Sequence, residues 1–471
     1  MHGNLVICGR VGTEFVACRT SLVDRLSSLI PRRSHRSTRD PRPSTLNMLE
    51  LDRPMGEKQA GYIRKIGVLL SAVGPGLFLI GYNIGTGSVT TMASAGSRYG
   101  LSLFWLLIIS CVFTYVMLIA YGRFTLVTGE TAITAYRKYL PFGNALALYS
   151  VFALSLGAAT GVAGVMGIVV DMIREWTAML FGGNGANMLV TALVIIAVCY
   201  YLLWTGHYSR FEKFLSSLVM LMGASFVLSF FMVVPEPTEV LAGLVPGVPD
   251  EENSFLIMSA MAATTCGAML FVMRSLVVSE KGWTVEDLPR QNRDAFVSVL
   301  VMLILSGAIM ACAAGTLYRM NIPVERAVDM VKTLEPIAGP FAISIFVIGI
   351  IGAGISSIFP QAPVLPWLIC DYRNTKLDTR SRMFRILTGL GFLAGLTVPI
   401  FGGRPVWIMI GVTAFQSTMM PLVTLAILFL VNNQRLMGEY RAGVWLNTGI
   451  LTTLVFSIFA AVMGVRGLLG I

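Results

Sequence analysis

The sequence predicts an all-α integral membrane protein with about eleven transmembrane helices, and three observations carry that prediction. Apolar residues make up 55% of the 471-residue chain and charged residues only 13%, with a mean hydropathy of +0.74. Soluble domains carry roughly 25% charged residues, so a chain this apolar needs lipid as its solvent. Apolar runs long enough to cross a bilayer follow one another from residue 66 onward, and basic residues gather in alternate loops between them.

Residues 1–62 read as a disordered basic tail, because RLSSLIPRRSHRSTRDPRPSTLN has helix breakers and no sustained periodicity. Its apolar stretch LVIC is too short for a signal-peptide core, and Met48 offers a second possible start. Residues 63–471 form the transmembrane domain. Its spans are placed at about 66–93, 101–121, 145–173, 188–204, 211–234, 255–278, 296–318, 338–369, 383–402, 405–431 and 443–466. Crossing the hydrocarbon takes about 20 apolar residues, so the longer runs predict tilts or breaks.

With the N-terminus cytoplasmic, the inside loops carry Arg123, Arg137 and Lys138, then Arg210 and Lys213, then Lys281, Arg290 and Arg293. Arg373, Lys376, Arg380, Arg382 and Arg385 follow, and Arg435 and Arg441 close the series. The outside loop 235–254 is acidic. One outside loop breaks the rule with Arg319, Arg326 and Lys332, partly offset by Glu325, Asp329 and Glu335. This pattern fits a plasma (inner) membrane protein.

Composition also excludes functions. The net charge of +10 sits in the first 66 residues and in short loops, with no basic face to take nucleic acid. The seven cysteines show no CxxC spacing, and the three histidines, His2, His35 and His207, cannot build a metal site. The spans hold no Ser/His, HExxH or paired-Asp arrangement. No catalytic residue, cofactor or obligate protein partner is expected, only the bilayer and a small solute or ion.

Two spans are interrupted at corresponding places. The first carries Gly85-Thr86-Gly87-Ser88 and the sixth carries Thr264-Thr265-Cys266-Gly267-Ala268-Met269. Gly lowers the cost of unwinding, and hydroxyls satisfy freed backbone groups. Breaks five spans apart are what inverted repeats require, here about 66–234 and 255–431 with an extra helix at 443–466. Transporters built this way bind solute at the breaks, near the midplane. Close helix packing by small residues is the plainer alternative for either cluster.

Several stretches resemble the Nramp (natural resistance-associated macrophage protein) family of divalent-metal transporters. They are ASAGSRYGLSLFW after the first break, TLVTGETAITAYRKY after the second span and EVLAGLVPGVP before the sixth, with GIIGAGISS in the eighth and NNQRLMG ending the tenth. The resemblance covers about residues 66–442 and keeps the motif order. It implies a LeuT-like five-plus-five inverted repeat of the amino acid–polyamine–cation superfamily, with broken helices 1 and 6. It also implies alternating access and a divalent metal substrate.

The family's functional positions are less well kept. Where the family's first-span D-P-G-N places its metal-binding Asp and Asn, this chain has Gly85 and Ser88, and only Gly87 survives. The sixth-span M-P-H-N falls near Gly267–Leu270, so Met269 supplies a thioether only with a register slip, and a later family histidine falls on Arg274. The two third-span acids of the family's proton route become Gly161 and Gly164. A tenth-span Gln is present as Gln416, about two residues out of register.

The candidate solute site is therefore Gly85, Thr86, Gly87, Ser88, Thr264, Thr265, Gly267, Met269, Arg274 and Gln416. Its oxygens are neutral, whereas a stripped divalent cation favours charged or dense oxygen ligands; metal binding is left uncertain on these residues. The acids Asp171, Glu212, Asp294 and Asp371 are expected at span ends or in loops. Arg274 favours an anionic or zwitterionic solute if it faces the site, and none if it snorkels beside Glu280 and Lys281. Ser356 and Ser357 either hold sodium or serve packing. Two substrates stay open: a divalent metal cation, or a small organic or anionic solute on the same scaffold. A non-transporting membrane sensor or scaffold is a third class.

Overall fold

The computed structural model describes residues 86–205, 223, 226–228, 230–231, 236–251, 253–326, 328–330, 340–375 and 377–470. The predicted tail 1–62, Gly85 with the first half of span one, and nearly all of span five lie outside the described residues.

The principal helices are α1 (Thr86–Tyr99), α2 (Phe104–Thr128), α3 (Ala132–Tyr139), α4 (Gly143–Phe181), α5 (Met188–Thr205), α6 (Ser254–Thr265), α7 (Ala268–Glu280) and α8 (Leu288–Ala313). They continue as α9 (Pro340–Gln361), α10 (Val364–Arg373), α11 (Arg382–Leu393), α12 (Thr397–Phe401), α13 (Pro405–Ser417), α14 (Met420–Asn432) and α15 (Val444–Leu469). Among the described residues, nine helical segments are long and apolar enough to cross a membrane. Each overlaps one predicted span.

The longest helix organises the bundle. At 1.5 Å per residue a helix the length of α4 runs about 58 Å, roughly twice the hydrocarbon thickness. Four glycines at helical spacing on α4 each receive a different neighbour. A Cβ at Gly157 would meet Gln416 Cγ at 3.3 Å, at Gly161 Gln361 Oε1 at 2.5 Å, at Gly164 Met409 Sδ at 2.8 Å, and at Gly167 Val398 Cγ1 at 2.8 Å. Without side chains there, α9, α12 and α13 close on the α4 backbone.

Helix α4 also corrects an expectation. The helix does not stop at the predicted end of span three: the apolar residues after Arg174-Glu175 carry it to Phe181, and Asp171 lies buried within the helix. Asp294 and Asp371 do lie near helix ends, but both are buried.

Helices α5 and α11 are peripheral. Val194, Val198, Ile386 and Leu390 present apolar side chains outward, as a lipid-facing surface does. Two cations of the basic loop that broke the charge rule, Arg319 and Arg326, are paired with acids outside it, while Lys332 lies outside the described residues. Glu325 accepts from Arg98 and Arg404, both at 2.8 Å, Arg326 pairs with Glu175, and Arg319 reaches Glu239 at 3.4 Å.

Candidate solute site at a broken helix

The sixth span is broken as its sequence predicts, but over two residues rather than six. Helix α6 ends at Thr265, Cys266 turns out of helical geometry (φ −112°, ψ 54°), and Gly267 is extended (φ −82°, ψ 135°) before α7 begins. Thr264 and Thr265 thus complete α6, while Met269 sits in the first turn of α7. The break sends the two halves to largely different neighbours: α6 packs on α13, α15 and α1, α7 on α14, and α2 runs beside both. The freed Thr265 carbonyl accepts from Thr114 Oγ1 of α2 at 2.9 Å. A buried carbonyl needs such a donor.

Beside the break lies a small cavity with room for about one water molecule, lined by Leu154, Gly157 and Ala158 of α4, Ala268 and Met269 of α7, Gln416 of α13, and Met419. Gln416 Nε2 donates to Gly157 O at 2.9 Å, so its Oε1 remains an acceptor. The lining therefore offers an amide, two thioethers and uncharged backbone. Among the described residues no group of three or more His, Cys, Asp or Glu could hold a metal ion.

The structure brings together two of the predicted residues, Met269 and Gln416, leaves Gly267 at the break just before α7, and packs Gly87 against Met409 of α13. Ser88 turns away, its hydroxyl 3.4 Å from that of Ser306. Thr86 opens α1, and its side chain, like Gly85, lies outside what is described. Arg274 neither lines the cavity nor snorkels beside Glu280 and Lys281. Its Nη1 donates to Asp294 Oδ2 at 2.6 Å, and both side chains are wholly buried. Ser356 and Ser357 donate back to Ala353 O of their own helix at 2.9 and 2.8 Å, which favours packing over sodium.

Leu154, Gly157, Ala158, Ala268 and Met419 of the lining escaped the sequence reading, as did Thr114, Gln361 and Met409 around it. Only Gln361 carried a signal, as a polar residue flanked by Pro360 and Pro363 inside an apolar span.

A multi-pass helical bundle with a helix broken beside a buried cavity defines a membrane transporter of the LeuT-like fold. The solved structures agree: the manganese transporter of Eremococcus coleocola matches at TM-score 0.65 with 13% identity, covering 89% of each chain. Mhp1, a nucleobase-cation-symport-1 family transporter, matches at TM-score 0.54 with 14% identity, covering 85% of this chain and 96% of its own. The chain belongs to the Nramp family, whose natural resistance-associated macrophage protein-like model matches residues 76–466. Among curated relatives, a divalent metal cation transporter MntH of Vibrio campbellii is 23% identical over 400 residues, covering 84% of this chain and 92% of the relative. The MntH of a Nostoc species is 23% identical over 396 residues, covering 81% and 87%.

Proposed function

We propose that this protein is a secondary transporter that carries a divalent metal cation across the membrane by alternating access, through an uncharged site at the α6–α7 break. The observation that carries the reading is the meeting of Met269 and Gln416 in the cavity beside that break. The MntH names of the relatives supply the substrate class.

A cation is favoured over an anion because Arg274, the one fully buried arginine among the described residues, is already matched. The organic or anionic alternative needs Arg274 in the site, and Asp294 neutralises it elsewhere. Amide oxygen and thioether sulfur hold a divalent ion less strongly than carboxylates do. The ion therefore binds weakly and keeps part of its water, and the cavity has to widen to admit it. The N-terminus and the basic loops lie at the cytoplasmic face of the plasma membrane, following the charge distribution. The activity is transport, with no bond-making chemistry.

Uptake of Mn²⁺ into proteoliposomes containing an entrapped metal-sensitive dye tests the reading. Saturable uptake that falls in Met269→Ala and Gln416→Ala is expected. Liposomes that take up no Mn²⁺, Mg²⁺ or Ca²⁺ beyond protein-free controls contradict it.

A further inference from the structure

Helices α5 and α11 meet at the edge of the bundle, the last turn of one against the first turn of the other. The guanidinium carbon of Arg385, in α11, sits 3.9 Å from the centre of the Trp204 ring, in α5. One turn further along, Tyr200 approaches Gly389, where a Cβ would stand 3.3 Å from the tyrosine ring. The bare glycine lets the two helices close, and the stacked pair lies at the end of the bundle that carries the basic loop after α10.

Arg385 carries its charge here without a protein counter-charge. It is half-buried, its Nε is shielded from solvent, and among the described residues no hydrogen bond or ion pair holds its guanidinium. Asp378, the nearest acid in sequence, accepts instead from the Arg380 backbone N–H at 2.9 Å. Arg380 and Arg382 are exposed and add to the positive charge. A partly desolvated charge is costly unless an opposite charge meets it.

The face around the arginine is apolar. Trp204 is 56% exposed, and Val198, Ile386 and Leu390 continue an outward apolar strip away from it. An aromatic ring and a basic side chain at the head of such a strip mark the depth of lipid headgroups.

We propose that Arg385 and Trp204 form a binding site for the headgroup of an anionic phospholipid, with an acyl chain lying along α5 and α11. The planar guanidinium matches a phosphate through two parallel N–H donors, and the Trp204 ring fixes its plane. Basic pockets between transmembrane helices take acidic headgroups in this way. A zwitterionic lipid brings the same phosphate with a cancelling amine, so the net-negative lipid is preferred. The site shares no residue with the transport cavity and stands independently of the cation reading.

The test places the full-length protein in phosphatidylcholine nanodiscs containing an equal mole fraction of either brominated phosphatidylglycerol or brominated phosphatidylcholine. Bromine near the top of the acyl chain quenches a tryptophan that it touches, and comparison with Trp204→Phe isolates the Trp204 signal. Phosphatidylglycerol is expected to be enriched about fivefold over phosphatidylcholine at Trp204, the factor that one arginine supplies near a charged membrane surface. Arg385→Gln is expected to remove the preference, and Arg382→Gln to keep most of it. Equal quenching of wild-type Trp204 by the two lipids overturns the proposal, whether or not Arg385→Gln folds. Equal losses in the two arginine variants also overturn it, because the preference then belongs to the diffuse charge of the loop. Displacement of the lipid by inorganic phosphate at matched ionic strength would make this a free-anion site and overturn it likewise.

Discussion

Arg274 and Asp294 form an ion pair 2.6 Å long with both side chains wholly shielded from solvent, and it joins the half-helix after the break to the next span. Arg274 Nη2 also reaches Gln291 O at 3.4 Å, so the guanidinium is held by two groups of α8. Breaking such a pair leaves an uncompensated buried charge, whereas replacing both partners by apolar groups is often neutral.

Removal of either partner alone, in Arg274→Met or Asp294→Asn, is therefore expected to destabilise the protein by about 3–5 kcal/mol. The double variant Arg274→Met/Asp294→Leu is expected to regain most of that stability and to keep Mn²⁺ uptake. Chemical unfolding in detergent and liposome uptake check the two halves. A stable double variant with no uptake would place the arginine in the solute path after all.

Thr114 is expected to matter for the break rather than for the solute. Thr114→Val removes a hydroxyl that reaches both Ser110 O of its own helix at 2.7 Å and the Thr265 carbonyl at 2.9 Å, at a cost of about 0.5–1.5 kcal/mol for a lost hydrogen bond. Thr114→Ser keeps the hydroxyl and should melt within a degree or two of wild type. Equal melting of the valine and serine variants would show that the freed carbonyl finds another donor.

Asp371 fastens the short helix α3 to the end of α10. It accepts from the Thr131 hydroxyl, from Ile133 N at 3.2 Å, from Thr134 N at 3.1 Å and from Thr134 Oγ1 at 2.8 Å. Asp371→Asn turns an NH₂ toward some of these donors and is expected to cost about 1.5–3 kcal/mol, the range for hydrogen bonds to a charged group. Hydrogen exchange at α3 is expected to quicken before exchange elsewhere. Uniform exchange across the protein would show that α3 does not depend on this anchor.

Much of the fold could be read from the sequence, because a membrane span has to be long and apolar whatever it packs against. The sixth-span break was legible for the same kind of reason, through its Gly and hydroxyl residues. Its length was not: Thr264 and Thr265 stay helical in α6, which is buried along its whole length against its neighbours. The partner of Arg274 was illegible because Glu280 and Lys281 are near in sequence, while Asp294 becomes near only once α8 folds back alongside α7. Gln361 was passed over because a polar residue between prolines reads as punctuation, and its meeting with Gly161 across 200 residues is a fact of packing.

Isothermal calorimetry of the purified protein with Mn²⁺, Mg²⁺ and Ca²⁺, run beside Met269→Ala and Gly85→Asp, asks most directly whether an uncharged site takes a divalent cation. Weak, saturable binding by the unmodified protein, diminished in Met269→Ala and strengthened in Gly85→Asp, is the predicted result. Silence from the unmodified protein, with binding only in Gly85→Asp, would contradict it and mean that this scaffold now carries a solute other than a metal.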